Sequence, residues 1–436
     1  MRTSLGVTAA SIFASALLGG CSPSSGESAK TTPVRTASAQ PAPRETPRQA
    51  AAQPCEPLET RDAQGADQRP AFAAQTRACR VRSDVAFDVQ VVASGLAKPW
   101  AVEPLPDGSV LVSEKRGRLR IVSATGQIGG PIAGVPAVDA GGQGGLLDVA
   151  LSPDFARDRT IFWSYTEPRE GGNGTSVARG VLSTDRTRLE QVRVILRTRP
   201  TYDNNLHFGS RLAFGPDGKL YVTTGDRSAR ETRPQAQDPG SHLGKTLRIN
   251  PDGSVPRDNP LVGRAGALPE IWSVGHRNIQ AAAFDPQGGF WTIEHGTRGG
   301  DEVNLIQPGG NYGWPVAAYG VEYRGGPITS ALGTAQTQRP GTEQPVYYWD
   351  PVIAPSGAQF YTGDAFPAWR NSLFVGGLAS MRLVRLVIQN DRVTGEEHLL
   401  TDRRKRIRDV RQGPDGALYV VTDEDSAELW RIAPRR

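Results

Sequence analysis

Short apolar stretches alternate with glycine-rich polar turns along most of the chain, and no long stretch after the first twenty-one residues shows a helical repeat. One pattern recurs: an apolar stretch, then Pro-Asp-Gly, then a second apolar stretch, at 105–112, 214–222 and 412–420, with a degenerate copy at 284–291. Proline fixes φ early in such a turn, and glycine accepts positive φ later in it. Each copy therefore predicts two strands joined by a tight turn.

Repeated hairpins over about 350 residues predict an all-β fold, and specifically a six-bladed β-propeller of four-stranded antiparallel blades, at roughly fifty to sixty residues per blade. The uneven spacing of the copies predicts long insertions between strands. A pair of β-sandwiches is the structural alternative. In a propeller the loops of all blades meet at one mouth of the central channel, so we expect a ligand site there.

Residues 1–21 resemble a lipoprotein-type signal peptide. Arg2 supplies a positive start, an apolar stretch covers 5–18, and the segment ends in a Leu-Gly-Gly-Cys sequence that resembles a bacterial lipobox. The apolar stretch is too short to span a bilayer. We expect export to the periplasm, with a lipid anchor on Cys21 and, because Ser22 follows, attachment to the outer membrane. An ordinary cleaved signal with an incidental cysteine is the alternative.

Residues 22–85 are rich in Ala, Pro, Ser, Thr, Gln and Arg and contain few large apolar side chains, which predicts a flexible tether. The catalytic propeller domain is then expected to comprise residues 86–436. Cys55 and Cys79 lie in the tether, and in an exported protein we expect a disulfide between them. Neither cysteine has an activating partner nearby in the sequence, so neither is a candidate nucleophile.

The charge balance limits the partners that can be expected. The net charge of +5 arises from fifty basic and forty-five acidic residues, and this mixture lacks the concentrated basic stripe typical of nucleic-acid binding. We therefore expect no nucleic acid partner, and membrane contact only through the anchor at Cys21. The oligomeric state stays open between monomer and dimer.

His207 stands out among the five histidines, none of which has the HxH or HExxH spacing of a transition-metal site. It lies before the hairpin at 214–222, and Asp226 follows that hairpin. Two strands out and back return Asp226 towards His207, where a carboxylate would fix the imidazole tautomer and raise its basicity, as a general base requires. A structural histidine that caps a strand is the alternative.

Several further residues could bind an anionic ligand. Gln143 lies in a glycine-rich loop, where backbone can approach a ligand closely. Arg277 and Asn278 offer planar donors for carboxylate or quinone oxygens. Arg406 and Arg408 are two residues apart, so on a strand their guanidinium groups point to the same side and repel each other unless an anion lies between them. A solvated charged face is the alternative for this basic run.

The acidic loop at 299–302 lies near backbone carbonyls at Gly296, Thr297 and Tyr312. Such hard oxygen ligands suit Ca²⁺ rather than zinc or copper. A glycine turn with solvated acids is the alternative.

The chain resembles the PQQ-dependent aldose sugar dehydrogenases of the soluble glucose/sorbosone dehydrogenase family. The resemblance rests on segments that follow one another in order over nearly all of residues 86–432 and include the sequences GQGGLLD, HFGSR and NYGWP. These segments are 142–148, 207–211, 237–238, 270–273 with 277–278, 294–302, 311–315, 341–346 and 406–408. The resemblance implies a six-bladed propeller with PQQ lying across its mouth.

The resemblance further implies a PQQ- and calcium-dependent quinoprotein that oxidises the C1 hydroxyl of aldose sugars to lactones by hydride transfer to PQQ and passes electrons to a downstream acceptor. His207 matches the family's catalytic base, Asp226 matches its orienting carboxylate, and Arg277 would polarise the quinone carbonyl together with Ca²⁺. The positions that match PQQ contacts are Gln143, Arg277, Asn278, Tyr323, Arg406 and Arg408. The positions that match calcium sites are Gly296 and Thr297 at the ion that also binds PQQ, and Glu302 and Tyr312 at a structural ion.

Three positions depart from the family pattern. Ala379 stands where the family usually offers PQQ a lysine, and Arg382 is a candidate substitute. Leu206 stands where a polar residue is commoner. The structural calcium site shows only two ligands clearly, with Glu322 as a candidate third.

Two rival functions fit parts of the pattern. A calcium-dependent propeller lactonase or esterase would also need Ca²⁺ and a histidine, but it has no use for Arg406 and Arg408 facing a polyanion. A propeller retained as a non-catalytic binding module would explain the missing lysine at position 379. The sequence carries no specificity code for which sugar is oxidised.

Overall fold

In the computed structural model, which describes residues 55–435, each Pro-Asp-Gly segment forms the turn of a hairpin, as predicted. The aspartate side chain of each turn accepts a hydrogen bond from the backbone N–H two residues later, at 3.2, 3.0 and 3.1 Å in the three copies. The turn glycines have positive φ, at 83° for Gly108, 70° for Gly218 and 73° for Gly416. Glycine adopts this conformation without a steric cost, so local chemistry determines these turns.

The predicted signal peptide at residues 1–21, with the anchor at Cys21, and residues 22–54 of the tether lie outside the described residues. Within the described part, no helix is both long and apolar enough to span a membrane. The helices described there are short: α1 (Phe155–Asp158) and 3₁₀ turns at Arg233–Gln237 and Pro367–Trp369.

The main strands form six antiparallel sheets arranged as blades. The first strand in the chain, β1 (Phe87–Leu96), belongs to the last blade. Blade 1 contains β2 (Pro99–Pro104), β3 (Val110–Glu114) and β4 (Arg118–Val122); blade 2 contains β5 (Leu146–Leu151), β6 (Thr160–Arg169), β7 (Gly172–Leu182) and β8 (Leu189–Arg197); blade 3 contains β9 (Leu212–Phe214), β10 (Leu220–Thr223), β11 (Lys245–Ile249) and β12 (Ile271–Val274). Blade 4 contains β13 (Ile279–Phe284), β14 (Phe290–Glu294) and β15 (Asp301–Ile306), then a separate hairpin of β16 (Thr329–Ser330) and β17 (Gly333–Thr334), and then its fourth strand β18 (Tyr347–Trp349). Blade 5 contains β19 (Pro355–Phe360), β20 (Leu373–Gly377), β21 (Arg382–Gln389) and β22 (Arg392–Leu399); blade 6 contains β23 (Ile407–Gln412), β24 (Leu418–Thr422), β25 (Ala427–Pro434) and β1.

The prediction of a six-bladed β-propeller is confirmed. The innermost strands contact one another in the order β2, β5, β9, β13, β19 and β23, and β23 also contacts β2, so the ring is closed. Five of the blades have four strands. The sheet of blade 1 has three strands, and isolated bridges from Val122 to Ile128 and from Leu119 to Ile132 extend its outer edge. The outer position is therefore partly occupied in this blade as well.

The N-terminal strand and the C-terminal strands close the ring together. β1 pairs with β25 in antiparallel register, from Phe87 opposite Pro434 to Leu96 opposite Ala427. The four-stranded sheet of blade 6 therefore requires strands from both ends of the propeller sequence.

Apolar side chains are buried between neighbouring blades rather than in one central core. Trp163 of β6 lies between blades 1 and 2, Trp291 of β14 between blades 4 and 5, and Trp430 of β25 between blades 5 and 6, each at most 1% exposed. Full burial of a large apolar side chain contributes about 1.5–3 kcal/mol. The blades are thus held together across several separate apolar interfaces.

A buried cluster of charges joins the inner strands of several blades. Arg211, next to β9, donates to Asp148 of β5 at 2.6 Å and contacts Asp409 of β23 at 3.2 Å. Arg411 of β23 contacts the same two carboxylates, at 3.5 and 3.4 Å, and also contacts Glu103 of β2 at 3.3 Å. Because buried charges are costly without partners, the two arginines and the carboxylates depend on one another.

Residues 55–85 lie against the propeller, so the flexible tether predicted for residues 22–85 is wrong for this part. Cys55 and Cys79 form the expected disulfide. The composition misled the prediction because polar side chains and backbone groups, rather than large apolar side chains, attach this segment to the propeller.

The attachment includes hydrogen bonds to β22 of blade 5 and to loops of blade 4. The side chain of Gln75, which is fully buried, accepts from the Tyr319 hydroxyl at 3.0 Å. Gln68 exchanges two hydrogen bonds with the backbone of Gly320, at 2.8 and 2.7 Å. The carboxylate of Asp350 accepts from two backbone N–H groups of the segment at 2.8 and 2.9 Å. The segment therefore supports the loops that pack against the acidic loop at 299–302, since a Cβ added at 299 or 300 would meet Asp350 or Tyr319.

Candidate active site

All six blades contribute residues to one large cavity of about 650 Å³. This volume is typical of small-molecule sites, and the convergence of all blades is the arrangement predicted for the ligand site. Representative lining residues are Lys115 of blade 1, Gln143 of blade 2, Gly209 before blade 3, Asn278 and His295 of blade 4, Leu378 of blade 5, and Arg406 and Arg408 of blade 6. Four of the predicted cofactor-binding residues therefore line the cavity: Gln143, Asn278, Arg406 and Arg408.

His207 and Asp226 lie together, as the hairpin spacing predicts. Nδ1 of His207 is 2.7 Å from Oδ1 of Asp226, and the two side chains are 7% and 1% exposed. Asp226 also accepts hydrogen bonds from the backbone N–H of Ser228 and from Nε1 of Trp314, both at 2.8 Å. Two further donors therefore orient this buried carboxylate towards the imidazole.

The pair is held in one protonation state. Burial lowers the pKa of His207, the charge of Arg277 lowers it further, and Asp226 opposes both effects. Burial alone would raise the pKa of Asp226, but His207 and Arg277 keep it below its ordinary value. An ionised carboxylate has only acceptors, so the imidazole proton lies on Nδ1 and the Nε2 lone pair is free to accept a proton.

His207 lies at the edge of the large cavity, next to residues that line it. Its backbone has φ of 48°, and its N–H donates to the side chain of Gln143 at 2.8 Å. The next two residues, Phe208 and Gly209, line the cavity. This left-handed backbone conformation is uncommon for histidine, and such conformations persist where surrounding contacts hold them.

Arg277 is fixed beside this pair by its own hydrogen bonds. Its guanidinium donates to the His295 carbonyl at 3.0 Å and to the Tyr323 hydroxyl at 3.1 Å. Its backbone carbonyl accepts from the N–H of Asp226 at 2.8 Å. Within the described residues, its buried Nε has no partner. Arg277 therefore keeps an unused donor, while Tyr323, which is 64% exposed, reaches the site through Arg277.

Arg406 and Arg408 face the same side, but the protein itself supplies the anion between them. Both guanidinium groups contact the carboxylate of Asp423, Arg406 at 2.6 Å and Arg408 at 3.1 Å. The pair therefore does not need a ligand anion to offset the repulsion between its guanidinium groups. The sequence analysis did not identify Asp423, although the hairpin of β23 and β24 places it opposite Arg406.

A second cavity, of about 10 Å³, lies next to the acidic loop. It is lined by Gly296, Glu302 and Tyr312, together with Glu294 and Arg277, whereas Thr297 does not line it. The two predicted calcium sites are therefore not clearly separate, because Gly296 faces the same cavity as Glu302 and Tyr312. No cluster of three or more His, Cys, Asp or Glu side chains placed to hold a metal ion occurs within residues 55–435.

The polar groups around the small cavity differ in how far they are already engaged. The carboxylate of Asp301 accepts three backbone N–H groups at 2.8 Å, from Gly296 and from residues 353 and 354, so it shapes the loop. The hydroxyl of Tyr312 donates to one backbone carbonyl and accepts from one backbone N–H, both at 2.7 Å. Burial and the neighbouring Glu294 raise the pKa of Glu302 well above its usual value. A cation would relieve that unfavourable pairing of buried carboxylates.

The three departures from the family pattern are also located. Arg382 donates to the Ser380 carbonyl at 2.9 Å and to Nδ1 of His398 at 2.7 Å, and it does not line the large cavity. Arg382 is therefore not placed to substitute for the lysine missing at position 379. Glu322 pairs with Arg233 instead of facing the small cavity. Leu206 is 36% exposed.

Sequence analysis assigned no role to several residues of the two cavities. His295 lines it as a neutral imidazole, since burial lowers its pKa to about 3, and its Nε2 donates to the Pro355 carbonyl at 2.6 Å. Lys98 and Lys115 bring two cations from blade 1. Trp314 belongs to the NYGWP sequence, but its bond to Asp226 depends on a contact between residues 88 positions apart.

Comparisons with known proteins match most of the chain. The family model described as glucose/sorbosone dehydrogenase matches residues 96–431. Aldose sugar dehydrogenase YliI of Escherichia coli is 44% identical over 351 residues, which cover 80% of this chain and 93% of that protein. Quinoprotein glucose dehydrogenase B of Acinetobacter calcoaceticus is 32% identical over 413 residues, covering 77% and 85%. The solved PQQ-bound form of aldose sugar dehydrogenase from Streptomyces coelicolor is 30% identical with a TM-score of 0.64, covering 79% of this chain and 98% of that one.

Proposed function

The chain belongs to the glucose/sorbosone dehydrogenase family, and from this premise we propose that it is a PQQ- and calcium-dependent dehydrogenase that oxidises the C1 hydroxyl of aldose sugars to lactones. The observation that carries the proposal is the neutral imidazole of His207, bonded to Asp226 at 2.7 Å at the edge of a cation-lined cavity. The relatives named above as aldose sugar and quinoprotein glucose dehydrogenases support it.

The residues of the large cavity fit PQQ, which carries three carboxylates and an ortho-quinone. A cavity of about 650 Å³ is in the range of cofactor sites. Four cations and three carboxylates line it, and Arg277, which lines the adjoining small cavity, adds a buried donor without a partner in the described part of the chain. When bound, PQQ supplies a quinone that accepts a hydride. The residues that would hold it are Gln143, Arg277, Asn278, Tyr323, Arg406 and Arg408.

His207 acts in this proposal as the general base. Its Nε2 accepts the proton of the C1 hydroxyl, and Asp226 stabilises the imidazolium that forms. Trp314 and the N–H of Ser228 keep the carboxylate in place through their bonds to its two oxygens. A base positioned in this way contributes about 10²–10⁴-fold to the rate. Burial, and then the charge of Arg277, lower the pKa of His207 and so favour the neutral imidazole before it accepts the proton.

Calcium is proposed for the loop at 296–302 and the adjoining small cavity. A cavity of about 10 Å³ is close to the space of a single water or ion. Gly296 and Thr297 would contribute backbone carbonyls and Glu302 its carboxylate, which are the hard oxygen donors that Ca²⁺ prefers. Tyr312 would contribute its backbone carbonyl, because its hydroxyl is already bonded on both sides.

Reconstitution tests the proposal. Apo-protein is titrated with PQQ in the presence of Ca²⁺, and the reduction of an artificial dye is then followed with a panel of aldoses. We expect PQQ binding and aldose-dependent dye reduction, both weakened by removal of Ca²⁺ with a chelator. Absence of PQQ binding would exclude the dehydrogenase function, and lactone hydrolysis without dye reduction would favour the hydrolase alternative.

A matched pair of histidine variants tests the role of His207. His207→Ala should retain PQQ affinity and lose nearly all turnover, because only the base is removed. His398→Ala is the control, since this histidine bonds to Glu396 and Arg382 on blade 5 and does not line the large cavity. Equal losses of turnover in the two variants would contradict a base at His207.

We also propose export and a lipid anchor at Cys21. A separate electron acceptor would be needed downstream of PQQ. The disulfide between Cys55 and Cys79 supports export, because such bonds persist in oxidising compartments. Cys21→Ala should shift the protein from the membrane fraction to the soluble periplasmic fraction. Retention of that variant in the membrane fraction would contradict the anchor.

A further inference from the structure

The four cations that line the large cavity differ in whether the protein supplies their counter-charge. Lys98 contacts Asp425 at 3.0 Å, and Arg406 and Arg408 share the carboxylate of Asp423. The ammonium group of Lys115 instead donates to a backbone carbonyl, that of Gly142. Within residues 55–435, no carboxylate lies at salt-bridge distance from it. Among the four cations that line the cavity, Lys115 is therefore the one that forms no salt bridge within residues 55–435.

The position of Lys115 is fixed by the backbone on either side of it. Its N–H donates to the Lys98 carbonyl at 3.1 Å, and its carbonyl accepts from the N–H of Leu146 at 2.9 Å. Gly145, with φ of 131°, packs so closely that an added Cβ would lie 2.1 Å from the Lys115 carbonyl oxygen. The junction of blades 1 and 2 thus holds the lysine next to the glycine-rich loop that carries Gln143.

The electrostatic surroundings of Lys115 favour the arrival of an anion. Partial burial lowers the pKa of Lys115, and the positive charges of Lys98 and Arg408 lower it further, while the charge of Asp423 opposes this shift without reversing it. An ammonium group that is repelled by neighbouring cations gains more from a bound carboxylate than one that already has a partner. Ala379, by contrast, is exposed and offers no charge, although the preceding Leu378 lines the cavity.

We propose that Lys115 is a cofactor-binding residue that contacts a carboxylate of PQQ from blade 1 and so replaces the lysine missing at Ala379. This inference rests on the proposed function, because it takes PQQ as the anion. Arg406 and Arg408 must share their attraction between Asp423 and the cofactor, whereas no carboxylate in the described part of the chain lies at salt-bridge distance from Lys115. The contact from blade 1 lies outside every segment on which the family resemblance was based.

The assignment is tested by calorimetric titration of apo-protein with PQQ, which measures binding and requires no turnover. Lys115→Met should raise the dissociation constant for PQQ about tenfold or more, as expected for the loss of a hydrogen bond to a charged group. Lys98→Met is the matched control, because it removes the same charge from the same cavity but from a lysine paired with Asp425. The control should weaken binding much less, and Lys115→Arg, which keeps the charge, should retain most of the affinity.

Equal loss of PQQ affinity in Lys115→Met and Lys98→Met would overturn the assignment, since it would show only an effect of net charge. Unchanged affinity in Lys115→Met would also overturn it, while native PQQ binding would leave the proposed function intact. Absence of binding by the native protein would instead overturn both. The double variant Lys115→Met with Ala379→Lys should recover affinity relative to Lys115→Met, and no recovery would refute the replacement. Unchanged thermal unfolding of the variants shows that each is folded.

Discussion

Replacing Asp226 by asparagine tests the proposed base most directly, because the change keeps the shape of the side chain and removes its charge. In the native protein, one oxygen of the Asp226 carboxylate accepts hydrogen bonds from His207 and from the Ser228 N–H, and the other accepts one from Trp314. Either orientation of an asparagine amide sets its NH₂ group against one of these donors. In one orientation the NH₂ group also faces Nδ1 of His207, which moves the imidazole proton to Nε2 and blocks proton acceptance there.

The expected loss follows from the size of base catalysis. A positioned general base contributes about 10²–10⁴-fold, and each factor of ten corresponds to about 1.36 kcal/mol of barrier. Asp226→Asn should therefore lower kcat by about 10²–10⁴-fold, or about 3–5 kcal/mol, when the wrong tautomer dominates. The affinity for PQQ should stay close to native, because Asp226 does not line the large cavity.

The pH dependence of kcat provides a second, independent test of the role of Asp226. Activity requires neutral His207, so it falls as the pH drops through the pKa of this histidine. Asp226 raises that pKa, whereas burial and Arg277 lower it. Asp226→Asn should therefore move the acid limb of the kcat profile to lower pH while reducing its plateau. The assay is dye reduction by the PQQ-loaded enzyme across the acid and neutral range. A plateau within about threefold of native, or an acid limb that moves to higher pH, would refute the proposed role.

Three further predictions follow from contacts away from the reacting atoms. Trp314→Phe removes the indole N–H that donates to Asp226, so the carboxylate becomes more basic and the pKa of His207 rises. The acid limb of the pH profile of kcat should therefore move to higher pH, and a shift to lower pH would contradict this. Asp148→Ala leaves Arg211 buried with only one of its carboxylates and should lower the free energy of unfolding by about 3–5 kcal/mol in urea titrations, whereas a loss below about 1 kcal/mol would show that the cluster relaxes easily. Replacing Cys55 and Cys79 by serine opens a loop with a sequence separation of 24 and should cost about 3 kcal/mol in the same measurement; unchanged stability would mean that hydrogen bonds alone hold the segment.

Much of the fold could be predicted because its signals lie in contiguous residues. The Pro-Asp-Gly turns specify their hairpins through proline, the aspartate bond and glycine, all within a few positions. The approach of Asp226 to His207 could be predicted for the same reason, since a single hairpin separates them. Where one local rule determines a contact, counting residues was enough.

Contacts between distant elements could not be predicted in this way. The bond from Trp314 to Asp226 joins different blades, and it requires the ring to be closed. The sharing of Asp423 by two arginines depends on the pairing of β23 with β24, where the register shifts between Ile407 and Asp409. A shift of one residue changes which side chains face the cavity, and the sequence does not mark where it occurs.

The shared last blade has a consequence for how the protein is made. β1 is the first strand of the ring to be synthesised, and its partner β25 is the last. For most of translation, β1 is a strand edge without its native neighbour, which is the kind of edge that pairs wrongly with other chains. Arg406 and Arg408 complete the cavity only when blade 6 forms, so a chain cut short before β25 cannot assemble the site. Retention of an anionic cofactor would thus report that the chain has been made to its end.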